Sequence, residues 1–368
     1  MKILYDHHAF SLQDVGGITR YFSELLRHAG SGTQCELPIV LSNNLYLHDR
    51  QHTRHVSIRP QWLAEKAWRL TGQINQWAAV RALQRGDFDV FHPTLNDADY
   101  FLDLIGDRPF VMTVHDLIPL LYPEYYPHAS VAGLARQTAR ATRIIAVSEN
   151  TRADLLRLLP VEPEQVVVVP HGTSPAVPSR TGLAVPEHYL LYTGTRRFYK
   201  NFDCLLQAFA LLRPHHPQLY VVCAGGGPFS PAETAQLEQL GLADRVVQRG
   251  PLSEAQLAYL YAQAQAFVFP SHYEGFGIPI LEAFAHGCPA VLSHASCFPE
   301  VAQEAALYFN PNSPAHLAEQ LGRLLAEPAL QRQLREAGHR RGHDFTWART
   351  AALTHRVYQE AREVRVPA

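Results

Sequence analysis

The sequence predicts an α/β protein of two units, each a parallel sheet of the Rossmann type with helices on both faces. Three observations predict it. Short apolar runs recur along the chain with helical patterns between them, as strands buried on both faces require. The alternation stops once, over residues 171–186, where HGTSPAVPSRTGLAVP has the Pro, Ser, Thr and Gly content of a linker. A length of 368 residues suits two cores, at roughly 100–200 residues per domain. The expected division is 1–178 and 179–349.

In the first unit the strands are Lys2–Asp6, Leu37–Leu41, Val90–His92, Pro109–Val114, Arg143–Val147 and a run from Val166. After Gly16 and Gly17 a helix begins, because Ile18, Tyr21, Phe22, Leu25 and Leu26 share one helical face, and Gly30 ends it. In the second unit the strands are Tyr189–Thr193, Leu219–Ala224, Arg245–Gln248, Ala266–Pro270 and Pro289–Ser293. Helices fit over Phe202–Arg213, Pro231–Leu240 and Glu254–Gln263, and the chain from about Ser313 is helical. Ligands of open α/β sheets sit outside the carboxyl ends of the strands. Two such sheets facing an inter-domain cleft suit a reaction that excludes water on closure.

Composition narrows the function. Apolar residues make up 47% and charged residues 18%, a folded chain. A net charge of -2 gives no basic field for nucleic acid. The five cysteines are scattered and form no CxxC pair, so neither a zinc site nor a disulfide framework is expected. That usage fits a reducing compartment. The start MKILYDHHAF lacks the form of a signal peptide, and no apolar run reaches the ~18 residues of a spanning helix. The expected address is the cytoplasm, with the inner face of the cell membrane as its extension.

The chemistry concentrates after the strand that ends at Phe269. Glu274, Gly275, Phe276 and Gly277 form a loop, and Pro279 suits the first turn of a helix. Unpaired backbone N–H groups at a helix start favour phosphate, carboxylate or hydroxyl groups. Glu274 before the helix and Glu282 within it can accept hydrogen bonds from vicinal hydroxyls. A second loop, after Gly194, carries Arg196, Arg197 and Lys200 ahead of a helix. Cations aimed at a departing nucleoside diphosphate lower its barrier.

The segment Glu274–Glu282, with Gly275-Phe276-Gly277 in its turn, resembles the donor-binding signature of retaining glycosyltransferases of family 4, which have the two-domain GT-B fold. The resemblance implies that Glu274 holds donor-sugar hydroxyls and Glu282 the nucleotide ribose. The amides of Gly275, Phe276, Gly277 and Ile278 would face the sugar and phosphates. The loop around Lys200 is similar to the family's donor-phosphate loop, with Arg196 the preferred partner and Arg197 the solvated runner-up. Gly16-Gly17 stands where the family reaches the diphosphate from the first domain. His115, after the strand Pro109–Val114, is implied as an active-site residue, while Asp116 orients its loop. VSENT at Val147, FPEV at Phe298 and FTW at Phe345 extend the likeness over most of the chain, and the last helix, 350–368, is expected to cross back onto the first domain.

The same resemblance implies retention by front-side attack, with a nucleoside-diphosphate sugar as donor substrate and neither metal nor cofactor. Two Asp-x-Asp triplets, Asp87-Phe88-Asp89 and Asp97-Ala98-Asp99, are read as solvated acids, since Lys200 and an Arg neutralise the diphosphate. GGGP at Gly225 is read as a plain turn. YKNF and HDLIP lean toward bacterial hexosyltransferases, mannosyltransferases favoured, that build surface polysaccharide on a saccharide or lipid-linked acceptor. The stretch Arg50–Arg85 has seven Lys/Arg, one acid and three tryptophans, Trp62, Trp68 and Trp77. It reads equally as a peripheral membrane helix or as a packed helix with a solvated face. Two other classes stay open at this point, a sugar-nucleotide epimerase of GT-B build and a two-domain sugar-binding protein without catalysis.

Overall fold

The computed structural model describes residues 1–48, 55–57, 61–96, 98–126 and 131–364, with 61–69 described by their backbone alone. The chain divides into two compact units, Met1–His171 with Trp347–Ala368, and Gly172–Thr346. The first crossing therefore lies at the start of the Pro- and Ser-rich stretch rather than at 178/179. The return lies at Thr346 rather than at 349. Both limits follow from one pairing inside the second unit, where Thr173 N donates to Phe345 O at 3.2 Å.

Among its described residues unit 1 has six short strands: β1 (Lys2–Tyr5), β2 (Gln34–Glu36), β3 (Val90–His92), β4 (Val111–Val114), β5 (Arg143–Ala146) and β6 (Val166–Val168). They form two parallel ladders, β2-β1-β3 and β4-β5-β6. Phe91 N donates to Pro109 O at 3.1 Å and joins the two. Phe91, Phe101, Phe110, Ile144 and Leu155 fill the core beneath. The order reverses at β1, so the switch point of this sheet lies between the ends of β1 and β3.

The run Leu37–Leu41 is not the second strand. That strand is Gln34–Glu36, a polar edge element paired only with β1. An edge strand has one neighbour and need not be apolar on both faces. Leu37 and Ile39 are buried outside any strand. At the end of the run the backbone is met by a side chain and by an isolated bridge: Asn75 Oδ1 accepts from Val40 N at 2.9 Å and from Leu41 N at 3.0 Å, and Val40 O accepts from Val56 N at 2.8 Å.

The helix Trp347–Glu363 belongs to unit 1, as expected of the last helix. Thr350 Oγ1 donates to Pro170 O at 2.8 Å. Tyr358 OH lies 2.7 Å from His92 Nδ1 and 3.1 Å from Tyr5 OH. The chain of contacts continues from His92 Nε2 to Thr113 Oγ1 at 3.0 Å and on to Tyr21 OH at 3.1 Å. This buried polar line ties β1, β3, β4, the helix Gly17–Arg27 and the last helix together.

Unit 2 contains β7 (Tyr189–Thr193), β8 (Tyr220–Ala224), β9 (Val246–Arg249), β10 (Ala266–Phe269), β11 (Ala290–Ser293) and β12 (Ala306–Phe309). All pairings are parallel, in the order β12-β11-β10-β7-β8-β9. β12 was not legible as a strand, because Leu307 and Tyr308 of its four residues are only half-buried at the sheet edge. The core packs Leu205, Leu206 and Phe209 of the helix Phe202–Leu212 against the sheet and against Leu317, Leu321 and Leu324. Here the switch point lies between β7 and β10, whose carboxyl ends lead into Gly194–Lys200 and Pro270–Gly277.

Burial of unit 1 histidines makes a prediction about acid. His92 is fully buried, and burial pushes its pKa from 6.5 down to about 3. Burial likewise holds His115 down to about 4 and His171 well below its ordinary value. Below pH 6.5 the unfolded chain takes up protons that the folded chain refuses. This contribution is therefore present above about 6.5 and is lost as the pH drops from there, toward about 4 for His115 and about 3 for His92. Thermal melts across that range should show Tm falling with acid, and His92→Gln should flatten the slope.

Candidate active site

The two loops at the unit 2 switch point meet through one ion pair. Lys200 Nζ lies 2.6 Å from Glu274 Oε1, with both side chains largely buried. The ammonium stands 5.5 Å from the Phe269 ring centre and 5.3 Å from that of Tyr199. Asn201 adopts the left-handed conformation, φ 53°. Its Nδ2 donates to Pro270 O at 3.0 Å and to Pro311 O at 2.8 Å. The Lys-Asn pair seen in the sequence thus has two distinct jobs: Lys200 carries the charge and Asn201 pins one loop to the other.

Glu274 is held at its Oε1, its N–H and its carbonyl. Ser271 Oγ donates to its Oε1 at 2.7 Å. Its N–H donates to Ser296 Oγ at 3.2 Å, and Ser296 Oγ donates to its carbonyl at 2.5 Å. Cys297 Sγ donates to Glu274 O at 3.2 Å and to Phe276 O at 3.1 Å. Ser271, Ser296 and Cys297 were not singled out from the sequence. They lie on other stretches of chain, and nothing in a serine's or cysteine's neighbours announces such a contact.

Gly277 caps the helix Ile278–Ala285 with φ +91°. A Cβ there would meet Ile280 Cδ1 at 3.0 Å and Phe298 Cε1 at 3.2 Å. Glycine is required on both counts. Phe276 packs edge-on against Phe345, ring centres 5.7 Å apart, so the backbone of Gly275-Phe276-Gly277 is set from below. Inside the helix, Glu282 Oε2 accepts from Tyr261 OH at 3.1 Å. Lys200 and Glu274 thus meet at the mouth of the switch-point crevice, and the Gly275–Ile278 turn leads from there into the helix that carries Glu282.

Arg196 does not join that mouth. Its guanidinium is turned to Glu233, Nε to Oε1 at 2.5 Å, with a side chain only 3% exposed. It also donates to the carbonyls of Gly227 at 3.1 Å and Pro228 at 2.9 Å. Arg196 thus clamps the turn after β8. At Gly226, φ +72°, a Cβ would meet Gly194 O at 2.7 Å. The GGGP turn is therefore shaped to receive this arginine. Arg197 is exposed.

In unit 1, Gly16 caps the helix Gly17–Arg27 in extended backbone, and its carbonyl accepts from Arg20 N and Thr19 Oγ1, each at 3.0 Å. A Cβ on Gly17 would meet nothing within 4 Å. Tyr21, one turn into the same helix, presents its ring edge to His115 at 5.1 Å. His115 follows β4, and its Nδ1 lies 3.3 Å from His171 Nε2. At pH 7 its imidazole is neutral, since burial holds the pKa at about 4. Asp116 Oδ1 accepts from Ile118 N at 3.0 Å, which shapes the loop as expected.

The acidic triplets are engaged elsewhere. Asp87 pairs with Lys2 Nζ, and Asp89 accepts from Lys2 N at 2.7 Å. Asp99 pairs with Arg136, while Asp97 lies outside the described residues. The basic Trp-bearing stretch contains the helix Gln61–Arg85. Arg50 lies outside the described residues, as do the side chains of Trp62 and Trp68. Trp77 is 60% exposed, and the Arg81 guanidinium sits 5.2 Å from its ring centre.

Residues 15–177 match the family model Glycosyltransferase Family 4, and residues 176–341 match Glycosyl transferases group 1. The chain is 29% identical to the O-antigen chain mannosyltransferase B of Escherichia coli, over 68% of this chain and 70% of that protein. It is 32% identical to the MMP alpha-(1->4)-mannosyltransferase of Mycolicibacterium hassiacum, over 77% of this chain and 73% of that protein. Among solved structures, HepE of Anabaena in complex with UDP and glucose shares the fold. The TM-score is 0.76 at 18% identity, covering 98% of this chain and 99% of that one. A relative above 30% identity across most of both chains, two family models end to end and a shared fold give one answer: the chain belongs to glycosyltransferase family 4, has the GT-B fold, and is a hexosyltransferase.

Proposed function

We propose that this hexosyltransferase is retaining and metal-independent, and that it moves a hexose, mannose favoured, from a nucleoside-diphosphate sugar to a saccharide or lipid-linked acceptor during surface polysaccharide synthesis. The observation that carries this reading is the Lys200–Glu274 pair, 2.6 Å apart at the unit 2 switch point. A cation and a carboxylate in contact are the two complements that a sugar diphosphate needs. Lys200 offers its ammonium to the departing diphosphate, and the freed Glu274 carboxylate accepts hydrogen bonds from sugar hydroxyls. Glu282 on the adjoining helix takes the ribose. The turn Gly275–Ile278 lines the path between them with backbone amides at a helix start.

Front-side displacement suits this inventory, because the departing phosphate oxygen takes the proton of the incoming hydroxyl. The protein supplies orientation and charge stabilisation. His115, neutral at pH 7, is assigned to a sugar hydroxyl as hydrogen-bond partner. Gly16-Gly17 is assigned to the diphosphate. Arg196 acts through the turn it holds, which leaves Lys200 as the cation for the leaving group. The mannose preference rests on the names of the two mannosyltransferase relatives. The diphosphate donor also rests on the UDP held by HepE.

No helix among the described residues is long and apolar enough to cross a membrane. The proposed meeting with a lipid-linked acceptor is a peripheral one, at the inner face of the cell membrane. The segment proposed for it is the basic, Trp-bearing stretch 50–85, in which Leu70 and Trp77 are exposed.

Three measurements test the reading. Glu274→Ala and Lys200→Ala should each lower turnover roughly 100-fold or more with the melting curve of the folded protein retained; wild-type turnover in either removes that residue from the site. In a thermal-shift screen, one of GDP, UDP or ADP and its sugars should raise Tm equally with and without chelator; a shift that chelator abolishes ends the metal-independent claim. Vesicles containing anionic phospholipid should co-sediment the protein at low salt, and absence of binding removes the membrane contact.

A further inference from the structure

Sequence reading placed His171 at the start of a linker, yet His171 is only 5% exposed and sits against His115. The two imidazoles are nearly parallel, 19° apart, with ring centres at 5.2 Å. His115 Nδ1 and His171 Nε2 are 3.3 Å apart. Tyr21 puts its ring edge against both, at 5.1 Å from His115 and 5.0 Å from His171. The Tyr21 hydroxyl is fixed in turn on Thr113, at 3.1 Å. Trp347 packs on His171 at 5.9 Å. The His115 plane is thereby set on two sides.

The other ring nitrogen of His115 has a different character. Nε2 is shielded from water and has no hydrogen-bond partner among the described residues. A buried polar atom left so is unfavourable unless something else satisfies it. Neutral imidazole carries one proton, so the state of Nδ1 decides the state of Nε2. If His171 Nε2 donates, His115 Nε2 bears the proton and is a donor. If His115 Nδ1 donates, Nε2 is an acceptor. Either way one partner settles both atoms.

We propose that His171 is a positioning residue for the transfer reaction: by pairing with His115 Nδ1 it locks one tautomer and one ring plane, so that Nε2 is the atom presented to a sugar hydroxyl. This deepens the reading of His115 given above and rests on it. The logic is that of a ligand histidine whose second nitrogen is held by an outer partner. His171 itself need touch no substrate.

The test uses the full chain. Two-bond 15N–1H spectra of 15N-histidine protein at pH 7, with His115 assigned by loss of its signals in His115→Gln, should show a single neutral tautomer. Averaging between the two tautomers in the wild type overturns the proposal without any variant. His171→Phe keeps the ring packing and removes the hydrogen bond; His115 should then average between tautomers. Turnover should fall roughly tenfold or more with the donor KM within about twofold, read as nucleotide released from GDP-mannose and from UDP-glucose. His171→Gln keeps a polar atom at the reach of Nε2 and should restore most of kcat. Full kcat in His171→Phe, or a His171→Gln variant as slow as His171→Phe, overturns the proposal. Wild-type turnover in His115→Gln would instead overturn the assignment of His115, and the spectra would still judge the pairing.

Discussion

Lys200 and Glu274 are the contact on which unit 2 is organised as a site. Each arrives on a loop from a different strand, β7 and β10, that are neighbours in the sheet. A parallel sheet that reverses its strand order leaves the loops at that point splayed to opposite sides. A buried cation and a buried anion draw them together again. Such a pair is unfavourable to bury unless its remaining hydrogen bonds are met. Ser271 supplies one of them on the carboxylate, while Asn201 on the carbonyls of Pro270 and Pro311, and Ser296 and Cys297 on the Glu274 backbone, hold the two loops in place. The surroundings of the pair are thus as specific as the pair itself.

The architecture was largely legible in the sequence, because buried parallel strands read as apolar runs whatever their neighbours are. The strands β4, β5, β7, β8, β10 and β11 were found that way. The failures share one cause. β2 and β12 are edge strands, and an edge does not demand an apolar residue on both faces. Leu37–Leu41 reads as a strand because Leu37 and Ile39 are buried, while its backbone is met by Asn75 and one bridge to Val56. Periodicity reports where a side chain goes and says nothing of what its amide does.

The candidate site was legible where its turn and helix signals are local. Glu274, Gly277, Glu282 and Lys200 stand on short segments whose turn and helix signals are in adjacent residues. Arg196 shows the limit. Its spacing from Gly194 suited a phosphate ligand, and only the fold reveals Glu233 and the turn after β8 as its partners. His171 was missed for the opposite reason. Pro and Ser after it disguised a buried residue as linker, and its partner His115 lies fifty-six positions earlier.

The order of the two units along the chain has a consequence for synthesis. Unit 2 is one uninterrupted segment, Gly172–Thr346, while unit 1 is split around it. A ribosome therefore releases every residue of the second unit before it releases Trp347 and Tyr358. Until then His92 has no Tyr358 hydroxyl at its Nδ1, and His171 has no Trp347 on its face. The usual sequence of events, in which the amino-terminal domain finishes first, is inverted here: unit 2 can be completed while unit 1 still waits for the helix Trp347–Glu363. His92 and His171 reach their final burial only after the whole of unit 2 has been made.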